Sequence, residues 1–164
     1  MSRQYTGRIG IGDGWYLVFD RPFVDDPVVG DDVLTFSNAD LLVLPTVVPI
    51  PDHVTDAWVA DWNAGAAARA VADGGADADL GPIQGQGWTG SLAAQSLPEG
   101  GETALRAYLG APRATLHLTV RYRDPANEAA ARALIAAVQH DAAGAAEMNR
   151  LIHRAAEGDG PGGR

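Results

Sequence analysis

Cysteine and lysine are both missing from this 164-residue chain. The first absence rules out disulfides, thiolate catalysis and thiolate metal sites together, and fits a reducing or an oxidising compartment equally well. The second, beside abundant alanine, glycine, aspartate and valine, is the usage a GC-rich genome produces, and speaks to the source of the chain and not to its work. Cations are scarce too: twelve arginines face 21 acids, for a net charge of −9. A phosphate backbone is held by clustered cations that displace counterions, so no nucleic-acid partner is expected. Met1 to Gly14 has no apolar run of signal-peptide length. The expectation is therefore a cytoplasmic protein with no signal peptide, lipobox or membrane span.

Signatures of chemistry are equally sparse. The four histidines, His53, His117, His140 and His153, include no His-x-His and no pair one helical turn apart, so no metal site is expected. Acids gather as Asp25-Asp26 and Asp31-Asp32, and again as Asp73, Asp77 and Asp79, without the ordered alternation of a calcium loop. Ser2, Ser37, Ser91 and Ser96 lack the context of a nucleophile elbow. The stretch Gly85-Gln86-Gly87-Trp88-Thr89-Gly90 has the glycines of a phosphate cradle but leads into a strand, not a helix N-terminus. Strand bulges and close backbone approach account for it better. No catalytic residue and no cofactor is expected.

What is present is architecture. A chain of this length buries roughly 70% of its unfolded surface and needs no staple. Residues 1–156 are expected to form a single α+β domain, followed by a flexible Gly-rich tail over 157–164. Tyr5 to Ile11 alternates, Trp15 to Phe19 is a compact β-prone run, and Gly12-Asp13-Gly14 between them predicts a hairpin. Val33 to Phe36 and Leu41 to Leu44, joined by Ser37-Asn38-Ala39-Asp40, predict a second, with Pro45, Pro49 and Pro51 ending the strand region. Asp52 offers an N-cap to a long helix. Its stripe Val54, Trp58, Trp62, Ala66 and Ala70 repeats every four residues, seats the tryptophans on the sheet and stops near Gly74-Gly75.

Strands are expected within Ile83 to Leu97, Glu102 to Leu109 and Thr115 to Arg123. The last alternates cleanly, with Leu116, Leu118, Val120 and Tyr122 on one face and Thr115, His117, Thr119, Arg121 and Arg123 on a wet one. Past Asp124-Pro125-Ala126-Asn127, a closing helix carries Ala130, Leu134, Ala137 and Val138 on one stripe, with Glu128 four residues ahead of Arg132. It continues from Ala142 to Ala156 through Met148, Leu151 and Ile152. The expected fold is a single antiparallel β-sheet of about six to seven strands, flanked by a long central helix and a C-terminal helix with an extension. That extension either caps the core or docks on a second copy.

This order of two hairpins, a long helix, three strands and a closing helix, with Gly14-Trp15 opening an early strand and Leu118-Thr119-Val120 before the last helix, resembles the PsbP-like superfamily. That superfamily includes DcrB-type bacterial proteins and the effector-associated chaperones of type VI secretion. The likeness covers about residues 5 to 140 and rests on element order, not on a signature motif. It implies a sheet used for binding, and cytoplasmic chaperones that hold apolar helices of a secreted partner, often as dimers. The proline link from Pro45 to Pro51, the glycine-heavy strand and the helical extension depart from the pattern.

The leading expectation is a non-catalytic protein-binding module with a protein partner, chaperone or adaptor in role, whose sheet face bearing His117, Arg121 and Tyr108, or the apolar groove beside it, meets that partner, with the homodimer as the oligomeric alternative. In a second reading the acidic half neutralises a basic toxin as an immunity protein, since residues 1–61 hold ten acids against three arginines. In a third, an enzyme or ligand carrier uses a pocket between sheet and central helix lined by Trp58, Trp62, Trp88 and His53.

Overall fold

The computed structural model describes residues 3–25 and 34–146. Asp26 and Asp31-Asp32 of the acidic loop, Val33, the helical extension from residue 147 with Met148, Leu151, Ile152 and His153, and the tail 157–164 lie outside the described residues. Strands β1 (Gln4–Gly12), β2 (Trp15–Asp25), β3 (Phe36–Ser37) and β4 (Leu42–Val48) precede helix α1 (Asp56–Ala72). Then come β5 (Ala78–Gly85), β6 (Trp88–Leu97), β7 (Glu102–Ala111) and β8 (Ala114–Tyr122), a 3₁₀ turn at Pro125–Asn127, helix α2 (Glu128–Ala136) and β9 (Gln139–His140). The chain is α+β with one antiparallel sheet, ordered β1-β2-β3-β4-β8-β7-β6-β5, and β9 pairs with β2. No described helix is long and apolar enough to cross a membrane.

The described residues form nine strands where six to seven were expected. The glycine-rich stretch is itself a turn, at Gln86-Gly87 between β5 and β6, and the two-residue strands β3 and β9 are too short to show any periodicity. The closing helix also differs. It ends at Ala136, and Gln139–His140 leaves helix to pair with Trp15 and Tyr16. His140 N–H donates to the Gln86 carbonyl at 2.9 Å, so β9 ties the β5–β6 turn to β2.

Pro45, expected to stop a strand, lies inside β4 opposite Leu118. β3 pairs only with Leu42 and Val43, which leaves the rest of that edge of β4 without a ladder partner among the described residues. Proline's missing N–H costs nothing there. The helix N-cap is Thr55, whose side chain accepts from Trp58 N–H, and not Asp52.

The main core lies on the α2 side. Trp15, Leu17, Phe19, Phe23, Phe36, Leu105, Leu109, Leu116, Leu118 and Val120 are buried there with Leu134, Ile135 and Val138. The Phe19 ring stacks on Phe23 at 4.2 Å and meets Phe36 edge-on at 5.2 Å. The other side of the sheet is built from small and polar residues. Helix α1 buries Val59, Asn63, Ala66 and Ala67, so its inner stripe is turned one residue from the expected Trp58-Trp62 register. Two large indoles do not fit where Ala93, Ser91, Gly110 and Thr115 require a close approach.

A buried network fixes that approach. Ala67 N–H donates to Ser91 Oγ at 3.0 Å, and Ser91 Oγ donates to the Asn63 carbonyl at 2.6 Å. A sheet hydroxyl thus stands between the two groups that would normally close a helical turn. Asn63 Nδ2 donates to the Val59 carbonyl at 2.8 Å and to Thr115 Oγ1 at 3.1 Å. A Cβ on Gly110 would stand 2.8 Å from Asn63 Nδ2, so this strand position must lack one.

Candidate functional site

Strand alternation and register place the expected face. On the side facing α1, β8 presents Thr115, His117, Thr119 and Arg121, and β7 sets Gly110, Tyr108, Arg106 and Ala104 opposite them in that order. β4 adds Val48, Thr46, Leu44 and Leu42 on the other flank of β8. Helix α1 packs over β6 and β7 with few contacts to β8, covering the Thr115–Gly110 end. Tyr108, opposite His117, still packs with Ala70 and Val71 of α1 around buried Ala67, and the open end of the face begins at Thr119 and Arg106. There Leu44, Thr46, Leu97, Pro98, Arg106 and Arg121 line an open depression of about 670 Å³.

The three residues singled out from sequence share this face. His117 and Tyr108 are directly opposite, with ring centroids 5.1 Å apart and edges meeting faces. Arg121 lies four residues along β8, about 13 Å from His117 by strand rise. Burial holds the His117 imidazole below its ordinary pKa, and its buried Nε2 has no hydrogen-bond partner among the described residues. His117 and Tyr108 lie beside the depression, whose walls begin at Thr46, Arg106 and Thr119.

Arg121 is anchored. Its guanidinium donates from Nε to Glu102 at 2.8 Å and approaches the same carboxylate oxygen through a second nitrogen at 2.5 Å, while Arg123 lies 3.3 Å from the other oxygen. The Glu102 side chain is only 16% exposed. Burial works against its charge, yet hydrogen bonds and charge from Arg121 and Arg123 prevail and hold its carboxyl below the usual range. Arg106 was not singled out from sequence. It donates to Gln95 Oε1 at 3.0 and 2.7 Å and has no carboxylate partner among the described residues. Its alternation with Leu105 and Ala107 was legible, but its alignment with Thr119 needed the register.

The alternative pocket is not assembled. Trp58 and Trp62 are 49% and 43% exposed on the outer side of α1. Trp88 is 4% exposed in the α2-side core, where its Nε1 donates to the Val138 carbonyl at 2.7 Å. His53 is exposed ahead of the helix. A cleft of about 390 Å³ beside the start of α1 is lined by Asp56, Ala60, Trp88 and Gly110, and of the four residues proposed for a pocket it takes only Trp88. Asp77 accepts from Ser96 N–H of β6 at 2.6 Å, and Asp79 accepts locally from Gly81 N–H at 2.9 Å.

No family model, no curated protein and no solved structure matches this chain.

Proposed function

We propose that this chain is a non-catalytic, cytoplasmic protein-binding module that receives a segment of a partner protein on the open half of its sheet. The observation that carries this reading is the uncovered end of the β4–β8–β7 face: apolar Leu44, Leu97 and Pro98 stand beside Arg106 and the anchored Arg121 around one depression. Apolar contact with a few fixed polar groups is the composition of a protein interface, where arginine and tyrosine supply much of the affinity. The PsbP-like order of elements supports a chaperone or adaptor role toward a secreted partner, with the homodimer as its working form.

The test is site-specific photo-crosslinking in the native cell, with a photoreactive residue at Thr119 and, as control, at Asp73 beyond the end of α1. A protein adduct at position 119 that weakens with Arg106→Gln is the expected result. Adducts that form at position 73 but not at 119 would overturn the reading. Native mass spectrometry of the same preparation separates a retained partner from a second copy of the chain.

A further inference from the structure

Half the surface of two tryptophans is left in water on the outer side of α1, and their arrangement says what they are suited to hold. Trp58 and Trp62, one helical turn apart, stack with ring centroids 5.0 Å apart and planes 12° from parallel. Their faces are spent on each other, so they form a column and not a flat platform. The guanidinium of Arg69 covers the far face of Trp62 at 3.9 Å and also donates to the Trp62 carbonyl. Gly65 makes room for this: a Cβ there would stand 2.7 Å from an Arg69 terminal nitrogen. A mid-helix glycine costs about 1 kcal/mol relative to alanine, and here it leaves space for the cation to lie back over the ring.

The column therefore runs cation, indole, indole, and then stops. Among the described residues no ring and no cation stands on the remaining face of Trp58. Asp61, a helix-surface neighbour of Trp58 three residues on, is exposed and belongs to none of the ion pairs among the described residues. An indole face is electron-rich and attracts a guanidinium, the more so with a carboxylate beside it.

We infer that the outer face of α1 is a second interaction surface, which takes a basic protein segment by stacking one of its arginines on the remaining face of Trp58, drawn by Asp61 and by the net charge of −9. The protein's own Arg69 shows the chemistry at one end of the column, and the partner completes the other. A second copy of the chain is disfavoured as occupant, because it would bring Asp61 and a net charge of −9 against their like. This surface is independent of the sheet-face reading and stands or falls separately.

The probe is a short helical peptide with arginines one turn apart, compared with the same peptide carrying glutamines, titrated into the intact protein while tryptophan emission is followed. Saturable quenching by the arginine peptide alone is expected. Trp58→Ala should weaken it roughly 3- to 30-fold, Trp58→Phe less, and Asp61→Asn should weaken it and flatten its salt dependence. Circular dichroism checks that the variants melt with the wild type. Equal affinity for wild type and Trp58→Ala would overturn the inference in favour of general attraction to an acidic protein. Equal binding of the glutamine peptide would overturn it in favour of a merely apolar patch. A concentration-dependent dimer lost in Trp58→Ala would assign the surface to a second copy instead.

Discussion

The two sides of the sheet are held by different physics. On the α2 side, large apolar side chains interlock, and the contribution comes from area removed from water. On the α1 side, alanines and glycines bring helix and sheet close, the buried apolar cluster among the described residues is Ala67, Ala76 and Ala93 beside buried Val59 and Ala66, and Asn63, Ser91 and Thr115 supply direction. A large apolar core tolerates reshaping by volume, whereas a small polar interface depends on each hydrogen bond being made. The second kind of interface has no space for indoles, and that is why the tryptophans of α1 face outward.

The contrast breaks most visibly at Phe19. Phe19→Ala should cost about 3–5 kcal/mol of stability, read from the denaturant midpoint, because it empties the stack with Phe23 and Phe36. A loss below about 1 kcal/mol would mean that the α2-side core is loosely packed. On the polar side, Asn63→Ala should cost about 1–3 kcal/mol, since it strands a buried Thr115 hydroxyl. Ser91→Ala should cost less, about 1 kcal/mol, because Ala67 N–H and the Asn63 carbonyl can then bond to each other. A double-mutant cycle between positions 63 and 115, whose side chains bond directly, should show clear coupling, and additivity would refute that bond.

Acidification separates the regions next. His117 has a folded pKa held below its ordinary value of 6.5, so the unfolded chain binds the extra proton first and stability falls as the pH drops below 6.5 toward the folded value. Glu102, lowered from 4.5 by its two arginines despite burial, contributes stability above that value that is lost as the pH falls through its folded pKa. His117→Gln should remove the first decline and leave the second, followed by urea titration across the pH range. The smallest effect is expected on the outer face of α1: Trp58→Ala should change stability by within about 0.5 kcal/mol. A loss of several kcal/mol would show that the indole column is structural and not a surface for a partner.

The alternating strands and their turns were legible because period-two patterning and turn chemistry are local. The β1–β2 hairpin across Gly12-Asp13-Gly14, the stop of α1 before Gly74-Gly75 and the two faces of β8 follow from residues a few positions apart. So did the shared face of Tyr108, His117 and Arg121, since each strand's alternation says which residues point together. Other features were invisible because they depend on partners distant in sequence. Gln139–His140 is a strand only because Trp15–Tyr16 offers it an edge, and Pro45 is tolerated only because β3 is short.

The amino-acid sequence by itself determined the α+β class, the antiparallel alternation and the identity of the side chains on the open sheet face, because each depends on local spacing. Tertiary structure alone decided which stripe of α1 is buried. Every fourth residue from Val54 was apolar, but the neighbouring stripe through Asn63 and Ala67 could approach the sheet closely and meet Ser91 and Thr115 with hydrogen bonds. Close packing with the hydrogen bonds made by Asn63 Nδ2, Ala67 N–H and Ser91 Oγ outweighed the hydrophobicity of two tryptophans, and so turned an expected core into an exposed surface.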